Sequence, residues 1–151
     1  MKAIRYMLLG SVLTLLVLSI SAFAVRGSGT TLTVVERAEN DTVTDTGAEG
    51  DSVGDVLTFA NTVYDAKNET EINTDNGYCL RTVVGGAWEC HWILTLENGQ
   101  ITVDGPFYDT GDSVLAITGG TGEYAAARGE MTLHFRNDAG TEFDFIYQIS
   151  E

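Results

Sequence analysis

Apolar and polar residues alternate along much of this chain with the period of two that belongs to β-strands. In residues 88–96, Trp88, Cys90, Trp92, Leu94 and Leu96 share one face, while Glu89, His91 and Thr95 share the other. In residues 142–149, Phe143, Phe145, Tyr147 and Ile149 alternate with Glu142, Asp144 and Gln148. Runs rich in β-formers at 31–35, 56–64, 78–84, 100–103, 114–118 and 129–136 complete a set of eight predicted strands. Turn signals fall between them at Gly85-Gly86, Asn98-Gly99, Gly119-Gly120-Thr121-Gly122 and Asn137-Asp138-Ala139-Gly140. Residues 123–127 read as one helical turn. Residues 39–55 and 65–76 are polar and unpatterned, and read as solvated loops. Short strands at regular spacing, with tight turns and no long helix, predict an all-β sandwich or barrel.

The N-terminus departs from this pattern. Lys2 and Arg5 precede an uncharged apolar stretch at 7–20, and Ala22-Phe23-Ala24 gives a small-x-small cleavage signal. The stretch is short beside the roughly 20 residues that a transmembrane helix needs. Residues 1–24 therefore read as a signal peptide, with an uncleaved anchor as the alternative, and residues 25–30 as a linker. The expected destination is secreted or periplasmic, and residues 31–151 form the one predicted domain. With no second apolar run, no membrane association is expected after cleavage.

Charge narrows the partners. The chain has 22 acidic and eight basic residues, for a formal net charge of −14. Cleavage removes two of the bases and no acid, so the mature chain is more acidic still. Nucleic acids and anionic membranes both call for a basic patch, which is not present. Cys79 and Cys90, an even pair in an exported chain, suggest a disulfide. Cys-x10-Cys with His91 and the distant His134 has no zinc-ligand spacing, and Asp109 and Asp112 offer too few ligands for calcium, so no metal is expected. The glycines at 119–122 lack the lysine and long helix of a phosphate loop, and no Gly-x-Ser-x-Gly is present.

Four segments in order are similar to the allene oxide cyclase barrel family. Gly54-Asp55-Val56-Leu57-Thr58-Phe59-Ala60-Asn61 resembles its Gly-Asp-Leu-Val-Pro-Phe-x-Asn. Ile101-Thr102-Val103-Asp104-Gly105-Pro106 resembles Ile-Ser-Val-Gln-Gly-Pro, and Gly105-Pro106-Phe107-Tyr108 resembles the Gly-Pro-Tyr of its plant members. Leu115-Ala116-Ile117-Thr118-Gly119-Gly120-Thr121-Gly122 resembles Leu-Ala-(Val/Ile)-Thr-Gly-Gly-Ser-Gly. Gly120 to Tyr124, continued by Ala127-Arg128-Gly129, also resembles the dirigent proteins, which share that barrel. The resemblance covers essentially residues 32–149. It implies an eight-stranded antiparallel β-barrel, commonly trimeric, with an apolar cavity and no cofactor.

The resemblance also implies a site. Val34-Val35-Glu36 fits the family's Val-Tyr-Glu, so Glu36 corresponds to the glutamate that acts on a developing cation. Leu32 and Val34 would share its inward face, and burial would raise its pKa; a solvated rim carboxylate beside Arg37 is the other reading. Asn61 matches one of two asparagines that hold an ordered water, or it satisfies buried backbone; the second asparagine is replaced by Ala38. Phe59 matches a pocket aromatic, and Phe107 stands where the family has a tyrosine. Cys79 matches a pocket cysteine, but Cys90 replaces the alanine opposite it, so Cys79 reads first as half of a structural disulfide.

The function expected is a cofactor-independent cyclase or isomerase that steers a small apolar reactive molecule, fatty-acid-derived or phenolic and polyketide-like. A non-catalytic lipophilic carrier or a structural barrel with a filled interior is the alternative.

Overall fold

The structure is a computed structural model and describes residues 29–150. The predicted signal peptide and most of the predicted linker lie outside the described residues. Every regular element described is a strand: β1 (Thr30–Arg37), β2 (Thr42–Thr44), β3 (Val56–Asp65), β4 (Glu71–Val83), β5 (Ala87–Leu96), β6 (Gly99–Tyr108), β7 (Ser113–Gly122), β8 (Arg128–Phe135) and β9 (Glu142–Ser150). They pair in the order β1-β9-β8-β7-β6-β5-β4-β3-β2, and a further β1–β3 pairing closes the sheet. All pairings are antiparallel. The result is an eight-stranded antiparallel barrel in which three-residue β2 continues the path of β1 along β3.

The junction of β1 and β2 positions the site. Arg37 is paired with Thr62, and Thr42 with Thr58. Between these pairs the first strand contributes Ala38, Glu39, Asn40 and Asp41, whereas β3 contributes only Phe59, Ala60 and Asn61. One extra residue on one side is a β-bulge, which bends the strand and re-aims its side chains.

The inward faces follow the predicted alternation. Val34, Val63, Trp92, Leu94, Ile101, Val103, Leu115, Met131, Phe145 and Tyr147 are all at or near zero exposure. An eight-stranded barrel has an interior just wide enough for side chains to fill or to hold one small ligand. Aromatic rings fill much of it here. Trp92 stacks on Phe145 with centroids 5.5 Å apart, and Phe59 meets Trp92 edge-on at 5.9 Å.

Four local expectations are corrected. Residues 119–122 are strand rather than turn, since Gln100 pairs with Thr121 and Ile101 with Gly120. A Cβ on Gly120 would collide with the backbone oxygens of Gln100 and Tyr124, so this glycine permits close approach. Residues 123–126 form a turn closed by bonds three residues apart, from Tyr124 N to Thr121 O and from Ala125 N to Gly122 O, rather than a helix. Within the predicted loop 39–55 lies β2, and Asp55 is buried, its carboxylate accepting from Thr46 N at 3.0 Å and Ser52 N at 2.8 Å. Finally, the predicted loop 65–76 yields the first six residues of β4, which pair with β3 and β5.

Candidate functional site

Glu36 ends the inward row of β1. It is 5 % exposed, beyond the fully buried Val34. Arg37 points out of the barrel instead. Its guanidinium lies 3.7 Å from the centre of the Tyr64 ring and donates to Asn68 at 2.9 Å. The rim reading of Glu36 is therefore replaced by an interior carboxyl with no adjacent cation among the described residues.

Asn61 holds that carboxyl and the bulge together. Its Oδ1 accepts from the backbone N–H groups of Glu39 (3.1 Å) and Asn40 (2.9 Å). Its Nδ2 donates to Glu36 Oε1 at 2.6 Å and to Asp41 Oδ1 at 2.7 Å. Thus Asn61 satisfies the backbone of the bulge and at the same time grips Glu36. Ala38, at the position of the family's second asparagine, donates its own backbone N–H to Thr141 O at 3.0 Å.

Glu36 opens onto a cavity of about 40 Å3 lined by Glu36, Asp41, Leu57, Phe59, Cys79, Trp92, Phe107, Leu133, Phe143 and Phe145. Four of the five residues expected at the site, Glu36, Phe59, Cys79 and Phe107, line it, and Asn61 touches it through Glu36. At the mouth, Phe107 and Phe135 each pack on Phe143, with centroids 6.1 Å and 5.0 Å away. Cys79 contributes a disulfide sulfur, because Cys79 and Cys90 are direct cross-strand partners, joined with Cα atoms 4.0 Å apart. The wall at that point is a covalent staple.

The environment favours a protonated Glu36. Burial pushes its pKa up to about 7; the Asn61 hydrogen bond opposes the shift and the nearby Asp41 charge adds to it. A carboxyl poised there can give or take a proton near neutral pH.

A further carboxyl, Asp75, joins the site from β4. It is fully buried on β4, and its Cα partner on β3 is Asn61. Burial first, and then the charges of Glu36 and Asp41, hold its pKa well above the usual carboxylate range. Asp75 lies in a stretch with no apolar face, so alternation of hydrophobicity could not reveal it. Asp41 likewise lies in a polar, unpatterned segment, 39–55, that carries no signal of the cavity it lines. The histidines take no part: His91 and His134 bond Asp104 and Asp112, each at 2.7 Å, on the outer surface.

The geometry can be set beside known proteins. The chain resembles the solved structure of a pyocyanin demethylase, with a TM-score of 0.67 and 26 % identity over 78 % of this chain and 100 % of that one. An exo-specific intermolecular Diels-Alderase superposes with a TM-score of 0.63 at 12 % identity, covering 82 % and 98 %. A pterocarpan synthase dirigent protein does so at 0.65 and 13 %, covering 80 % and 92 %. At these lower identities the likeness is one of fold. The profile of the allene oxide cyclase family matches residues 12–136, most of the chain and every strand of the barrel except β9. With the closed eight-stranded barrel and an inward glutamate on its first strand, that match makes this chain a member of the allene oxide cyclase family.

Proposed function

We propose that the barrel binds one small organic molecule at its Glu36 end and steers its cyclisation or isomerisation, with Glu36 as the proton-carrying group. The observation that carries this reading is a carboxyl with a pKa near 7 opening onto an aromatic cavity. Asn61 is the positioning residue that fixes which oxygen of Glu36 is engaged, leaving Oε2 for the ligand. Phe59, Phe107, Phe143 and Trp92 supply the flat apolar walls that confine a reactive intermediate, and no cofactor is called for. Similar solved structures carry the names of a demethylase of pyocyanin, a Diels-Alderase and a pterocarpan synthase dirigent protein, all pointing to small organic substrates.

Export belongs to the same reading. A stapling disulfide suits an oxidising compartment, so the protein acts outside the cytoplasm on an apolar molecule. The family resemblance makes a homotrimer the expected assembly, which sedimentation of the mature chain checks.

The small cavity volume favours a second reading, a structural barrel with a filled interior, over both the cyclase and a non-catalytic lipophilic carrier. Two measurements separate them. Mass spectrometry of lipophilic molecules that co-purify with the mature protein should find a bound compound. Pyocyanin and a freshly generated fatty-acid allene oxide are then offered to wild type and Glu36→Gln. Turnover or product stereochemistry that depends on Glu36 is expected; identical products at identical rates would sink its catalytic role.

A further inference from the structure

Deeper in the barrel than Glu36 lies a group of polar side chains that the steering role does not use. Both carboxyl oxygens of Asp75, the hydroxyl of Tyr147 and the indole Nε1 of Trp92 are buried with no hydrogen-bond partner among the described residues. The side chains themselves are 0 %, 0 % and 2 % exposed. Buried polar atoms are paired in the great majority of cases, so a group of unpaired ones asks for an explanation.

The strands bring these residues together. Asp75 is the cross-strand neighbour of Asn61, which grips Glu36. On the next strand Leu94 is opposite Asp75, and Trp92 is opposite Gly77. Gly77 is required there, since a Cβ would run into Trp92 and the carbonyl of His91. The Trp92 indole forms part of the cavity wall. Tyr147 enters from β9, near enough to feel both neighbours. The Trp92 N–H favours its ionised form without the alignment of a hydrogen bond, and the Asp75 charge opposes ionisation.

Their protonation states follow from the surroundings. A lone ionised carboxylate in an apolar interior is costly, and the group neutralises instead. The charges that act on Asp75 are Glu36 and Asp41, both negative. Asp75 is therefore a neutral acid with an O–H to donate. Burial, the largest influence on it, likewise keeps the Tyr147 hydroxyl protonated. An indole N–H only donates. Three donors thus lie in a dry interior, and none of them is bonded to an acceptor among the described residues, the Asp75 carbonyl and the Tyr147 oxygen included. A carboxylic acid held neutral by its site so that it can donate is a recognised enzymatic device, and such donors stabilise oxygen that carries negative charge.

We propose that Asp75 and Tyr147, which lie behind the cavity lining, form with the lining residue Trp92 an oxygen-binding subsite, which takes the carbonyl or phenolate oxygen of a flat aromatic ketone, quinone or phenol. The stacked aromatic walls hold the ring plane, and Glu36 faces the ligand nearer the mouth. This subsite rests on the reading of the barrel as a small-molecule site.

The test compares two probes of one shape, naphthol and naphthalene, by fluorescence titration of the mature protein. Naphthalene is the more apolar, so a simple greasy cavity prefers it. The subsite predicts the reverse, with naphthol bound about tenfold more tightly, the size of one added hydrogen bond. Tyr147→Phe and Asp75→Leu should each abolish most of that preference. Asp75→Asn, which still donates, should keep part of it. An infrared band of a protonated carboxyl should persist in the wild type at about pH 8, survive in Glu36→Gln and vanish in Asp75→Asn; this needs no ligand. Equal binding of both probes, or no such band, overturns the subsite and leaves the small-molecule reading standing. Binding of neither probe overturns both.

Discussion

Asn61 Nδ2 donates to Glu36 Oε1 at 2.6 Å while Asn61 Oδ1 takes the two backbone N–H groups exposed by the bulge between β1 and β2. One amide therefore ties the irregularity in the barrel wall to the carboxyl that faces the cavity. Its four hydrogen bonds use its full donor and two-acceptor capacity, so Asn61 has one orientation. Several measurable consequences follow from this pair and its surroundings.

The first is a pH dependence of stability. Glu36 has a folded pKa of about 7 against an ordinary value of 4.5. With the folded value raised, its contribution to stability is fully present below about pH 4.5 and is lost as pH rises towards 7. Across that window the unfolded chain ionises first and is favoured. Glu36→Gln keeps an acceptor for Asn61 and removes the titration. It should gain on wild type through this window by up to about 3 kcal/mol, then stay level. Urea unfolding of both proteins at a series of pH values measures the gap; a constant gap would contradict the buried-carboxyl account.

Asn61→Ala should cost about 2–4 kcal/mol, because it leaves two carboxyls and two backbone donors without their partner. Asn61→Asp is nearly isosteric but sets a third carboxylate against Glu36 and Asp41. Its melting temperature should fall further at alkaline pH than near pH 5, as like charges ionise together. Thermal melts at both pH values distinguish charge from shape.

Breaking the Cys79–Cys90 link releases a loop with a sequence separation of 11 residues. On the chain-entropy relation this costs roughly 3 kcal/mol. The double variant Cys79→Ala, Cys90→Ala should lose about that much in denaturant titrations and become indifferent to reductant. Wild type should drop to the same level when reduced.

Arg81 clamps the acidic loop before β3 to the barrel. Its guanidinium meets Asp51 and Asp109 at 2.6 Å and 2.7 Å and lies 3.9 Å from the Trp88 ring centre, while Trp88 Nε1 donates to Asp109 at 3.2 Å. The Asp51 contact is an ion pair too bent to count as a hydrogen bond, and Asp51 is partly solvated. Arg81→Met should therefore cost about 2 kcal/mol, below the range for a fully buried pair. Hydrogen exchange should show the added mobility in residues 45–55; unchanged protection there would mean that Asp55 alone anchors the loop.

By itself the sequence determined most of the strands and their facing, and suggested the covalent link. A period of two in hydrophobicity is a local property, so the inward rows of β5 and β9 could be read directly, and Cys79 and Cys90 fell on facing strands of one hairpin. The motif Val34-Val35-Glu36 was enough to nominate Glu36. The tertiary structure alone decided the rest. Residues 71–76 carry no apolar face, so nothing local marks them as strand; pairing with β3 and β5 makes them one and turns Asp75 inward. The bulge is one residue of difference between strands, which no single strand reveals, and it brings Asp41 to the cavity. Proton affinity too was settled by the assembled barrel. Glu36 and Asp75 are raised because several strands together exclude water and place carboxyls near one another, with no compensating cation among the described residues.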